Sequence, residues 1–187
     1  GGGRARATLG ACGVAGGRAL VVVRSTARSL WLWEVATGQR RMWYVIPQFV
    51  GFLIFLTASF AETNRTPFDL VEADAELVAG YFTEYGGARW VSFLFAEYLN
   101  MIVVAGIAAT VYLGGWLLPF GLSLPGWTEP LIVLAKMGIF ILFFIWIRAT
   151  IPRLRYDQLR SFGWQILLTL ATLNTLLTAN VVSVSDK

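Results

Sequence analysis

Long neutral stretches alternate with short charged ones along this chain, and the neutral stretches have the length of membrane helices. Residues 42–61 carry no charge and match the ~20 residues that one helical crossing needs. Pro47 falls near the start of that stretch, where a helix tolerates it. Residues 90–118 contain one charge, Glu97, and end at a turn-rich break made by Pro119, Gly121, Pro125 and Gly126. Residues 131–151 carry Lys136 in their interior, and residues 161–184 carry no charge. The pattern predicts an all-α integral membrane protein with about four transmembrane helices, near 42–61, 90–118, 131–151 and 161–184. Together they form a membrane domain over residues 31–187.

Residues 1–30 follow another pattern and read as an N-terminal extension. Glycines at 1–3, 10, 13, 16 and 17 interleave with Arg4, Arg6, Arg18, Arg24 and Arg28, and no acid occurs before Glu34. An arginine-rich, acid-poor opening is half of a mitochondrial presequence pattern, although serine is scarce. A flexible tail and a processing remnant both fit it. Leu20–Val23 is too short an apolar run to span, and without an initiating methionine the chain reads as processed or incomplete. No internal repeat is visible.

Composition narrows the class further. Of the 187 residues 57% are hydrophobic and 14% charged, and the mean hydropathy is +0.65. A soluble domain has roughly a quarter charged residues and cannot hide this much apolar surface. With no histidine and one cysteine, Cys12, the sequence excludes internal disulfides, His- or Cys-based metal sites and imidazole catalysis. Proton chemistry would fall to carboxylates, tyrosines, lysine or water. The net charge is +4, and every basic residue except Lys136 and Lys187 is arginine. No polar, basic domain of the kind that binds nucleic acid is present.

Charge also orients the chain. Two crossings separate residues 62–89 from residues 148–160, so both segments lie on one side. The second carries Arg148, Arg153, Arg155 and Arg160 against Asp157 alone. The positive-inside rule places it in the cytoplasm, or in the matrix of a mitochondrion. Arg40 and Arg41 on the opposite side vote against this, but the four-arginine loop is the stronger signal.

The segment 62–80 is the most informative chemically. Thr66, Pro67 and Asp69 make a helix start, with a capping threonine, proline at the first helical position and an acid in the first turn. Gly80 is a natural stop. Within that helix Asp69, Glu72 and Glu76 share a face, while Asp74 points elsewhere. Carboxylates crowded on one face repel unless hydrated, paired or partly protonated. A solvated acidic surface helix is the plainer reading, but its position between two crossings and its apolar Phe68, Leu70, Val71, Leu77 and Val78 weigh against it. Glu84 follows the helix. Glu97 lies inside the second crossing, where an ionisable group is costly and marks a functional position or a side chain snorkelling to the interface. Lys136 poses the same choice in the third crossing.

These residues carry a resemblance. Glu62-Thr-Asn-Arg65-Thr-Pro-Phe-Asp69-Leu, Glu72…Glu76-Leu-Val-Ala-Gly, Glu84-Tyr, Ala-Glu97-Tyr, Leu-Gly-Gly-Trp116 and Trp-Ile-Arg148…Pro-Arg153-Leu-Arg155-Tyr-Asp157-Gln-Leu resemble subunit 1 of NADH–ubiquinone oxidoreductase, respiratory complex I, the H subunit of the bacterial enzyme. The likeness runs over roughly residues 28–180. It implies a subunit, not catalytic by itself, that anchors the hydrophilic redox arm and builds part of the quinone cavity. Glu62, Asp69, Glu72, Glu76, Glu84 and Glu97 would belong to an acidic path coupling quinone reduction to proton translocation. Arg65, Arg148, Arg153, Arg155 and Asp157 would belong to the matrix-side structure beside the cavity. The resemblance further implies ubiquinone as substrate, no covalent cofactor and no metal. Its implied partners are the iron–sulfur and quinone-site subunits of the hydrophilic arm, other complex I subunits and membrane lipids, with no nucleic acid. The expected location is the mitochondrial inner membrane, with the bacterial plasma membrane as second choice. The family has about eight transmembrane helices and only the last four are predicted here, so a separate chain is expected to supply the N-terminal half. A proton-coupled transporter fragment, a purely structural anchor and the membrane subunit of a related hydrogenase are the competing readings. Transporters typically show internal repeats and broken helices, and the continuation Phe-Asp-Leu…Glu-Leu-Val…Glu-Tyr favours the complex I branch over the hydrogenases.

Overall fold

The computed structural model describes residues 2–27, 31–40, 42–63, 68, 87–118, 126–152, 158 and 161–185. It is all helical, with no strand among those residues. Helix α1 is Gly2–Ala27, and α2 is Leu32–Thr37, continued by a 3-10 turn at Gly38–Arg40. Helix α3 is Phe49–Glu62 and α4 is Ala88–Tyr112. After a 3-10 turn at Gly126–Thr128, α5 runs Glu129–Thr150. A π turn at Phe162–Leu167 leads into α6, Leu168–Ser185.

Among the described residues three helices are long and apolar enough to cross a membrane: Ala88–Tyr112, Glu129–Thr150 and Phe162–Val184. Their large apolar side chains stand on the outside. On α5 these include Leu131, Leu134, Leu142 and Trp146, as expected of helices that are hydrophobic all round and meet lipid or other protein rather than water. The all-α membrane class therefore holds.

The first predicted crossing differs. Residues 44–48 form turns, and α3 begins only at Phe49. Pro47 is the cause, because a proline disfavours the α conformation in the residue before it. With 14 residues, α3 is about 21 Å long at 1.5 Å per residue, short of the ~30 Å hydrocarbon layer. The second crossing also ends early, at Tyr112 rather than 118. Gly114 and Gly115 follow with φ of +71° and +56°, a left-handed conformation that side-chain-bearing residues resist.

The N-terminal stretch is not a tail in this structure. Residues 2–27 form α1, which packs against α3 and α6. Cys12, Ala15, Gly16, Ala19 and Val23 recur at helical spacing and are buried. A Cβ on Gly16 would stand 3.0 Å from the Ala58 Cβ, so α1 and α3 approach almost backbone to backbone. Small residues that permit such approach are the usual means of joining helices in membranes.

Ring contacts fix the helix directions. Phe52 near the start of α3 meets Phe140, and Phe60 near its end meets Phe144 at 4.3 Å, so α3 and α5 run parallel. The end of α4 lies against the start of α3, where Phe52 packs on Tyr112 at 5.2 Å. The end of α3, the start of α4 and the end of α5 consequently share one end of the bundle.

Candidate functional site

The structure places three of the predicted site residues. Glu62 is the last residue of α3 and is exposed. Glu97 is half-buried in α4, nine residues past its start, hence about 14 Å along the helix axis. Arg148 is exposed in the last turn of α5. Helix directions put Glu62 and Arg148 at the same bundle end, the one from which Glu97 is reached. Asp69, Glu72, Glu76, Glu84, Arg65, Arg153, Arg155 and Asp157 lie outside the described residues, as does the segment in which the acidic helix is predicted, apart from Phe68. Phe68 is buried, and its ring stands 6.2 Å from that of Phe162 at the start of the π turn before α6.

The opposite end holds a polar cluster. Lys136, about two turns into α5, is only 6% exposed. Its ammonium donates to the carbonyls of Leu113, Gly115 and Leu117 at 2.7, 2.7 and 2.6 Å. It also lies over the Trp43 ring, 5.0 Å from the centroid. A lysine has three donors, and all three are used on carbonyls just beyond the end of α4. That end is electronegative, because its last carbonyls lack helical partners and the peptide dipoles sum there. The Gly114–Gly115 turn aims these oxygens at one point, with the Gly115 N–H folded back onto the Ala109 carbonyl at 3.0 Å.

Two further side chains lace the same region. Gln39 is 1% exposed; its amide donates to Val35 O at 3.3 Å and Val111 O at 2.7 Å, and its oxygen accepts from the Tyr44 N–H at 3.3 Å. Val45 N–H donates to Tyr112 O at 3.3 Å. The fully buried Tyr112 hydroxyl lies 3.4 Å from Ala19 O and 3.3 Å from Gly51 O, linking α4 to α1 and α3. Protein groups therefore satisfy much of the non-helical backbone around residues 43–48, the condition under which such backbone is tolerated at membrane depth. The sequence marked Lys136 as an ionisable group in a span; Gln39 and Tyr112 gave no signal, since their partners are backbone groups.

Three long apolar helices, with Glu97 and the carbonyl-caged Lys136 inside two of them, define a polytopic membrane protein. Comparison with known proteins narrows this. The family profile described as NADH dehydrogenase matches residues 1–179. The NADH-quinone oxidoreductase H subunit of Deinococcus deserti is 49% identical over 88% of this chain and 42% of its own length. The H subunit of Paramagnetospirillum magneticum is 41% identical over 98% of this chain and 54% of its own. NADH-ubiquinone oxidoreductase chain 1 of Chondrus crispus is 45% identical over 83% of this chain and 48% of its own. The chain belongs to this family of complex I membrane subunits, and it spans about half the length of these relatives. The match begins at residue 1, so it takes in the Gly/Arg-rich stretch as well as the later motifs.

Proposed function

We propose that the chain acts as part of the membrane subunit of a respiratory NADH–quinone oxidoreductase, lining the quinone cavity and passing the consequence of quinone reduction to the proton-translocating machinery. The supporting observation is the run of acids from Glu62 to Glu97, carried by a chain 41–49% identical to bacterial proteins of this family. Asp69, Glu72 and Glu76 fall on one face of the predicted helix, and their mutual repulsion in a poorly hydrated site favours holding fewer than three charges. Such a cluster takes up a proton when a negative quinone species forms nearby. Glu84 and Glu97 extend the series toward the membrane, and Glu62 begins it. Arg65, Arg148, Arg153 and Arg155, with Asp157, form the basic structure beside the cavity on the side facing the hydrophilic arm. In this reading ubiquinone is substrate, the chain holds no metal or covalent cofactor, and its partners are the iron–sulfur and quinone-site subunits of the hydrophilic arm. The membrane is the mitochondrial inner membrane or its bacterial counterpart.

The test is Glu72→Gln in the assembled complex. The amide keeps the volume and removes titration. NADH-driven quinone reduction should fall by about a hundredfold, the lower end of the ~10²–10⁴ that one positioned proton-transfer group contributes, while native gels show normal assembly. Asp74→Asn, off the shared face, should leave activity near the parent level. Full activity and full proton pumping in Glu72→Gln would reduce the helix to a strut.

A further inference from the structure

An apolar cleft of about 370 Å³ opens between α1, α2 and α4, within the ~300–1,000 Å³ range of small-molecule sites. Leu20 and Val23 of α1, Val35 of α2, and Ile107 and Val111 of α4 form its walls. Among its lining residues Arg24 alone is charged, and that side chain is exposed. Leu32 also lines the cleft. On either side of Leu32 in the chain stand Trp31 and Trp33, 75% and 66% exposed, with the Trp33 ring 4.7 Å from that of Trp116.

We propose that this cleft binds one acyl chain of an anionic phospholipid, with Arg24 on the headgroup phosphate. Three features converge on that occupant. The walls, Arg24 apart, are aliphatic and suit a hydrocarbon chain. A guanidinium at the rim matches a phosphate with paired hydrogen bonds, which a neutral ligand cannot supply. Tryptophans concentrate where acyl chains give way to headgroups, and here they adjoin Leu32 at the cleft. A neutral isoprenoid tail would fill the walls but offer Arg24 no phosphate. The cleft lies at the bundle end opposite Glu62 and Arg148, apart from the proposed quinone chemistry.

The experiment counts lipids retained by the purified, assembled complex after mild detergent washing, by native mass spectrometry and lipid extraction. The Arg24→Gln complex should lose a tightly held phosphatidylglycerol or cardiolipin while its phosphatidylcholine content is unchanged. Ile107→Trp, which fills the cleft and keeps the arginine, should lose the same lipid. An anionic lipid complement equal to the parent's in both variants overturns the proposal. If neither variant assembles, a density map of the parent complex decides: a forked lipid with its headgroup at Arg24 supports the site, and a protein segment or a neutral isoprenoid tail in the cleft overturns it.

Discussion

Lys136 sits in an apolar helix, and among the described residues no carboxylate is one of its hydrogen-bond partners. Its compensation is three peptide oxygens and the face of Trp43. Hydrogen bonds to charged groups contribute ~1.5–3 kcal/mol each, so removing them together exceeds what one surface substitution does. Lys136→Met should sharply reduce the amount of assembled complex on native gels, with Lys136→Arg intermediate, because a planar fork cannot point at three converging oxygens. Parent-level assembly in Lys136→Met would mean that other donors reach those carbonyls. The sequence exposed Lys136 as an anomaly but not its role, because backbone carbonyls leave no letter to read. The Gly114–Gly115 pair was the available clue, since adjacent glycines after an apolar run mark a helix end whose oxygens turn inward.

At the scale of the helices, hydrophobic pattern found α4, α5 and α6, but missed that α4 stops at Tyr112 and that a π turn precedes α6. It failed on α1 and at the start of α3. Glycine and arginine in residues 1–27 suggested a tail, yet at Gly16 an added Cβ would stand 3.0 Å from Ala58 of α3. In water a Gly/Ala helix with arginines is unremarkable; in a bundle the small residues are the contact surface. Gly16→Leu should therefore separate α1 from α3, an overpacking effect of ~1–3 kcal/mol, seen as a lower thermal midpoint of the complex. Gly13→Leu is the matched control, because a Cβ there meets nothing within 4 Å. Equal midpoints for the two variants would disprove the close crossing. At α3, charge absence marked residues 42–61 correctly as apolar but could not tell turn from helix around Pro47.

For the whole molecule, helix directions give a topology that can be read chemically. Cys12 is buried and is the chain's single cysteine, so it can be replaced to give a clean background. Cysteines placed at Gly87 and Gln158 should react with an impermeant maleimide from one side of the membrane, and one at Trp127 from the other. Labelling of the Gly87 and Trp127 positions from a common side would contradict the helix order. The outward apolar faces lead to a second expectation at this scale. With Leu131, Leu134, Ile139, Leu142 and Trp146 of α5 exposed, the chain expressed alone in membranes should be degraded or aggregate. A monodisperse monomer in mild detergent would show that it needs no partner. The predicted acidic helix, the most legible chemistry in the sequence, falls outside the described residues, so its role rests on the Glu72 test.

The contact between Gly16 and Ala58 has a mechanical meaning. Packed helices shift past one another by small sliding movements, which long side chains accommodate by changing rotamer. Glycine and alanine have no rotamers to change, so at this crossing there is no lubricating layer. The α1–α3 pair is thus a stiff lever. Displacing α3 against this crossing would accordingly carry α1 with it instead of being absorbed between them.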